Sequence, residues 1–333
     1  MDFDLNNDQK EIKAVARELL TARSGFARVR AAAEAGRYDD ALWREVVSLG
    51  WPGIAVAEEH GGQGLGFVEL AVLLDELGYA CAATPFLGSA VAAALIQVAG
   101  TSEQRERWLP GLVAGELTAG VGTQELIVDA GADLAVVVDG EEAFLVAGAQ
   151  IEPFDAIDST RRFGRLAGLG AAGEPLEPGA AARLHTAVAA EVVGVCQRAL
   201  DMTLEYVKDR KQFGVPVGSF QAVSHRCAQM LLHTESARSA AYYAAWAADA
   251  DPARLGEAAA MAGAAAADGG REVTASAIQA HGGIGFTWEA DVHWLYKRAQ
   301  LDTALLGGST RHRAALARAA AERRNASVSA TAR

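Results

Sequence analysis

From about residue 181 onward the chain keeps helical periodicity with few interruptions, and this constrains its fold more than any other feature. Val188, Val192, Val195, Leu204 and Val207 fall on one side of a single long helix. A second helical stretch runs from Phe220 to about Ala248. Asp251-Pro252 is a capping residue followed by proline at the first helical position, and it opens a third. Thr287 is placed to cap a fourth, which runs to about Leu305. Long helices with short connections bury their apolar stripes against one another, so an antiparallel four-helix bundle is expected over residues 181–333.

Residues 1–117 also read as helices, joined by glycine-rich turns. Asn7 is placed to cap a first helix with Ile12, Val15 and Leu19 on one face. Asp40 is placed to cap a second, with Leu42, Val46 and Leu49 inward and Gly50 as its stop. A third carries Leu70, Leu73, Leu74 and Leu77 and ends at Gly78. Thr101-Ser102-Glu103-Gln104 is a capping box opening a further helix. Residues 118–180 change character. Leu134–Val138 is a β-branched run, Asp139-Gly140 signals a hairpin turn, and Ala143–Val146 is the return strand. Ala167 to Gly179 reads as a loop or linker, so this segment is expected to form only a small β unit. The fold class is therefore α+β, mainly α, in three domains.

Charge and composition exclude several functions. The net charge of −12 argues against nucleic acid and anionic membrane as partners. No apolar run is long enough to span a bilayer, and the acidic N-terminus is unlike a signal peptide. Cys81, Cys196 and Cys227 sit in apolar helical contexts without metal-ligand spacing, which suits buried, reduced thiols in a cytoplasmic protein.

Two C-terminal motifs carry chemistry. In Arg210-Lys211-Gln212-Phe213-Gly214, Arg210 supplies a permanent charge and a planar donor fork suited to a pyrophosphate, and Phe213 can lie against a flat ring. In Gln279-Ala280-His281-Gly282-Gly283-Ile284-Gly285-Phe286-Thr287, Gln279 offers amide groups. There Gly282, Gly283 and Gly285 allow backbone N–H groups to approach phosphate oxygens, just before the helix start expected at Thr287, whose dipole favours an anion. Upstream stand Gly50-Trp51-Pro52-Gly53-Ile54-Ala55-Val56, the Glu58-Glu59-His60-Gly61-Gly62 loop, Asp75-Glu76-Leu77-Gly78, Thr84-Pro85-Phe86-Leu87 and Arg107-Trp108-Leu109-Pro110-Gly111-Leu112. In this order, over nearly the whole chain, they resemble the acyl-CoA dehydrogenase family. The Gly285-Phe286-Thr287-Trp288-Glu289 wording is similar to actinobacterial members acting on steroid or other bulky CoA thioesters. The resemblance implies a helical domain, a β domain and a four-helix domain. It also implies that Arg210, Phe213, Gln279, Gly282 and Gly283 reach the nucleotide end of an FAD seated in a neighbouring subunit, with Gln221 at a position near the flavin.

The chain departs from the family pattern twice. Where the family's catalytic glutamate usually stands, the text is Leu305-Leu306-Gly307-Gly308-Ser309-Thr310, with Gly307 in its place. The position used by other members falls at Leu184, followed by His185. Without a carboxylate at either, removal of a thioester α-proton lacks its acceptor. Glu191, Asp302 and His185 are candidate substitutes; Glu191 reads as a helix-end or interface residue and Asp302 as an ordinary helix charge. The middle domain is also short. Ala119-Gly120-Val121-Gly122-Thr123-Gln124 stands where the family has a run touching flavin and substrate, and a tryptophan-bearing strand is missing.

The resemblance therefore implies a subunit without its own base. It would work in a heteromer, such as an α2β2 assembly, with a paralogous acyl-CoA dehydrogenase chain, on an acyl-CoA, passing electrons to an electron-transfer flavoprotein. Two alternatives stand beside it. One is an active homo-oligomer with a non-standard base, the other a flavin-free structural or acyl-CoA-binding protein of the same fold.

Overall fold

The computed structural model describes residues 4–148, 150–167 and 173–331, with side chains to Arg324. Six helices come first: α1 (Asn7–Arg23), α2 (Phe26–Ala35), α3 (Asp40–Ser48), α4 (Phe67–Tyr79), α5 (Phe86–Ala99) and α6 (Ser102–Val113). The caps differ by one residue from expectation. Asn6, not Asn7, accepts from the Gln9 amide N–H, and the Gln9 side chain returns the bond. Asp39, not Asp40, accepts from Ala41 and Leu42. In each pair the residue one step earlier keeps an extended backbone, as a cap requires. The Thr101–Gln104 box forms as expected. Leu42 and Val46 point inward, whereas Leu49, expected inward, ends the helix at the surface. Gly78 does not stop α4. It lies where α4 crosses α7 (Ala180–Asp209), and a Cβ there would sit 2.2 Å from the Glu191 carbonyl oxygen.

The middle segment forms a larger sheet than expected. Seven strands, β1 (Ala119–Gly122), β2 (Ile127–Val128), β3 (Leu134–Asp139), β4 (Glu142–Ala147), β5 (Ile151–Phe154), β6 (Phe163–Leu166) and β7 (Gly173–Leu176), run in the order β5-β6-β2-β1-β3-β4-β7. The β3–β4 hairpin turns at Gly140, with Asp139 opposite Glu142. β1 and β3 pair parallel, and the other pairings are antiparallel. The continuous apolar text of β3 follows from burial on both faces. Leu134, Val136 and Val138 join the main core, while Ala135 and Val137 join a smaller cluster with Ile127, Val146 and Leu166. The stretch expected to be a loop contains β7; residues 168–172 of it lie outside the described residues.

The C-terminal part holds α7, a short hairpin of β8 (Lys211–Gln212) and β9 (Val215–Pro216), α8 (Gln221–Ala250), α9 (Leu255–His281), α10 (Val292–Leu305) and α11 (Gly308–Thr331). α7 is the central element, about 45 Å long at the usual helical rise. It packs against α4, α8, α9 and α10. Two expectations need correction. The fourth bundle helix begins at Val292 rather than after Thr287, because the Thr287 hydroxyl turns back to donate to the Ile284 carbonyl and caps no helix. A further helix, α11, begins at Gly308, and the φ angles of 75° and 74° at Gly307 and Gly308 reverse the chain where only glycine is unstrained.

Candidate functional site

The motif residues gather at one end of the bundle. α7 ends at Asp209 with Arg210 as its C-cap, and α9 ends at His281. The Tyr206 and His281 rings stack at 4.4 Å, fastening the two helix ends side by side. The β8–β9 hairpin crosses this end, and its two-residue turn places both Phe213 (φ 52°) and Gly214 (φ 82°) in the left-handed region, as a tight hairpin requires. Glycine accepts that region freely, but a bulky aromatic does not. Phe213 is 94% exposed and touches Phe220 edge-on at 6.2 Å. Gln221 opens α8 directly after Phe220. Arg210, Gln221, Gln279, Gly282 and Gly283 are all exposed. Neither Gly282 nor Gly283 has an atom within 4 Å of where a Cβ would stand, so their backbone is open to close approach.

Two details of the glycine motif depart from expectation. Gly285 is buried, and a Cβ on it would lie 2.3 Å from the Ile278 carbonyl oxygen; it lets the loop pack on α9. The loop Gly282–Phe286 is a 3-10 turn following the C-terminal end of α9, and α10 begins only at Val292. The helix dipole expected to favour an anion is therefore not aimed at this loop.

The positions of the family's base lie elsewhere. Gly307 is exposed in the turn between α10 and α11 rather than inside the last helix. A Cβ on it would stand 3.1 Å from Arg311 Cδ. Arg311 donates to the Gly140 carbonyl of the β3–β4 hairpin at 2.9 Å, tying α11 to the sheet. Leu184 is buried near the start of α7. Its neighbour His185 meets His312 edge-on at 5.0 Å. Burial, with His312 and Arg311 nearby, pushes His185 down to about 3, so it stays neutral.

Glu191 and Asp302 are neither a helix-end residue nor an ordinary helix charge. Both are buried in an ionic network that sequence reasoning missed. Arg298 of α10 is wholly buried; it donates to Asp158 at 2.7 Å, Glu191 at 3.1 Å, the Thr160 hydroxyl at 2.5 Å and the Ala82 carbonyl at 3.2 Å. Arg161 donates to Glu191 and, at 3.1 Å, to Asp302. Three carboxyl groups thus surround two guanidiniums, and Glu191 Oε2 and Asp302 Oδ2 have no hydrogen-bond partner. Burial, then the neighbouring Glu191, push the Asp302 carboxyl well above its usual range. Burial would also push Asp158 up, but Arg298 and Thr160 overcome it and hold that carboxyl below its usual range. The network joins the N-terminal helices, the sheet and the bundle. Glu191 is 1% exposed and held in ion pairs with Arg161 and Arg298, a structural position that disfavours it as a substitute base.

Comparison with known proteins agrees with this architecture. The family model described as acyl-CoA dehydrogenase, N-terminal domain, matches residues 6–116, and that for the C-terminal domain matches residues 180–321. Acyl-CoA dehydrogenase IpdE2 of Mycolicibacterium smegmatis is 32% identical over 91% of this chain and 96% of its own length. IpdE2 of Mycobacterium tuberculosis is 33% identical over 90% of this chain and 93% of its own. Among solved structures, the ChsE4-ChsE5 complex from Mycobacterium tuberculosis superposes with a TM-score of 0.85 at 26% identity, covering 97% of this chain and 99% of that one. A variant of the Tcur3481-Tcur3483 steroid ACAD superposes with a TM-score of 0.82 at 30% identity, covering 95% and 98%. The helical layer, the intervening sheet and the bundle, with family models matched at both ends, establish that the chain belongs to the acyl-CoA dehydrogenase family.

Proposed function

We propose that this chain is a subunit of a heteromeric, FAD-dependent acyl-CoA dehydrogenase, and that it contributes a nucleotide-side clamp while a paralogous partner contributes the base. The observation that carries the reading is the uncovered surface at the end of α7 and α9. Arg210 and Gln279 present polar groups there, Gly282 and Gly283 leave the backbone open, and Phe213, three residues after Arg210, is 94% exposed. A large aromatic side chain left bare suits a contact completed by another chain. These residues fit the diphosphate and adenosine end of FAD; the short segment Ala119–Gln124 supplies no comparable wall for the isoalloxazine. When bound, the flavin supplies the hydride acceptor. On this reading Arg210 neutralises phosphate charge and Phe213 and Gln279 hold the nucleotide in place. With glycine at 307 and leucine at 184, the α-proton would leave to a carboxylate of the partner.

The reaction under this reading is α,β-dehydrogenation of a bulky acyl-CoA in the cytoplasm, in an α2β2 assembly that delivers electrons to an electron-transfer flavoprotein. A steroid-type substrate is favoured by the likeness to the Tcur3481-Tcur3483 steroid ACAD. The deciding experiment is purification of this chain alone and with a neighbouring paralogue, followed by flavin quantification and acyl-CoA turnover. Flavin and turnover are expected only with the partner. Stoichiometric FAD with turnover in the chain alone would sink the proposal.

A further inference from the structure

We infer that His281 is a further nucleotide-binding residue of the clamp, and that its Nε2 accepts a hydrogen bond from the adenosine part of the flavin. The inference rests on the function proposed above. His281 ends α9, immediately before the two open glycines, Gly282 and Gly283. It is 8% exposed, and its ring lies on that of Tyr206 at 4.4 Å with 22° between the planes. The Tyr206 carbonyl also accepts the Arg210 N–H at 2.9 Å. One residue of α7 thus fixes both the backbone of Arg210 and the imidazole.

The bonding of the ring determines its tautomer. Nδ1 stands 2.7 Å from the Ala277 carbonyl oxygen, which can only accept, so Nδ1 carries the hydrogen and Nε2 is left with a lone pair. Burial holds the ring's pKa below the usual histidine value, although the Ala277 carbonyl draws it up, so the ring is neutral at neutral pH. Nε2 has no partner among the described residues, yet unlike Nδ1 of His293 it is not sealed from solvent. The end of α9 has no need of this nitrogen, because the Gly282 N–H already donates to the Gln279 carbonyl.

A bare lone pair selects which part of a dinucleotide lies against it. Diphosphate oxygens only accept and would repel it. The adenosine part carries donors, the ribose hydroxyls and the adenine amine. Arg210 has the opposite character, with five donors and no acceptor, and complements the diphosphate. Two groups of opposite polarity at one end of the bundle therefore fix the direction in which the nucleotide lies.

The test is calorimetric titration of FAD into the flavin-free complex of this chain with its paralogue, at neutral pH. His281→Asn retains an N–H for the Ala277 carbonyl and removes the acceptor at Nε2. It should bind FAD about three- to tenfold more weakly, the loss of one neutral hydrogen bond. His281→Gln, whose amide reaches the Nε2 position, should recover most of the affinity. The hypoxanthine analogue of FAD, which lacks the amine, identifies the donor. Weakening by His281→Asn that persists with the analogue assigns a hydroxyl, weakening that disappears assigns the amine, and either supports the contact. Equal FAD affinity in the parent and His281→Asn would overturn the inference and leave the clamp standing. Equal weakening in both variants would also overturn it, reducing the ring to a packing group against Tyr206. A parent complex that binds no FAD would refute the proposed function and this inference with it.

Discussion

Replacing Arg298 with methionine removes the buried network's most connected cation and little volume. Arg298 is wholly buried, and its carboxylate partners Asp158 and Glu191 are 0% and 1% exposed. Glu191 keeps Arg161, so Asp158 is the group left without a guanidinium, and the Ala82 carbonyl loses a donor. Removing one partner of a buried ion pair costs about 3–5 kcal/mol. That is a large share of the 5–15 kcal/mol that usually separates folded from unfolded protein. For a chain of this length the loss corresponds to a fall in melting temperature of roughly 4–7 °C. Urea unfolding followed by circular dichroism at neutral pH, with calorimetry, measures it. The sign with pH follows from Asp158. Its folded carboxyl lies below the unfolded value of 3.8, so its contribution is present above that value and is lost as pH falls through the folded pKa. In Arg298→Met this acid-side dependence should vanish or reverse. Adding Asp158→Asn should recover part of the loss, since it removes the orphaned charge. A loss below about 1 kcal/mol in the single variant, or no recovery in the double one, would refute the view that charge pairing holds this junction.

Asp302→Asn keeps an oxygen for Arg161 and deletes a carboxyl whose pKa is raised by burial and Glu191. A raised carboxyl stabilises fully below 3.8 and progressively less as pH climbs toward its folded value, so the asparagine variant should match the parent at pH 4 and exceed it at pH 8 in urea unfolding; equal pH slopes would contradict this. Arg210→Ala should cost the partnered complex about 1.5–3 kcal/mol in flavin affinity without altering its melting temperature without flavin, because the side chain is exposed; full flavin retention in a dilution assay would remove Arg210 from the clamp. Gly307→Glu should lose about 1–2 kcal/mol of stability from left-handed backbone strain, and Arg311 must also shift. It should give no turnover in the isolated chain; measurable dehydrogenation would show that a complete site exists there.

What was readable in the sequence were elements with a local signal. The Thr101–Gln104 box, the β3–β4 hairpin and the long periodic stretches of α7 and α8 stand where their residues imply. α5 was not readable as a helix because it is buried nearly all round, and an unbroken apolar run has no periodicity. β1, β2, β5, β6 and β7 are two to four residues long, too short for alternation to stand out. α11 was hidden by Gly307-Gly308, which look like an end and act as a reversal. At the bundle end, motif spelling located exposed polar groups. The ionic network had no such spelling, because Asp158 and Arg298 are 140 residues apart and each alone looks like a surface charge.

The start of α4 carries a consequence for the order in which the chain can assemble. Its cap position is Gly66, which has no side chain to offer the first helical amides. The acceptor comes from the last turn of α8, where the Asp249 carboxylate takes the Phe67 N–H at 2.9 Å and the Val68 N–H at 3.2 Å, across 182 and 181 residues of chain. In an N-terminal fragment without α8 these amides would have only water to donate to. The entry to α4 thus gains its protein acceptor only when α8 is docked against it, so a truncation that removes α8 also uncaps α4.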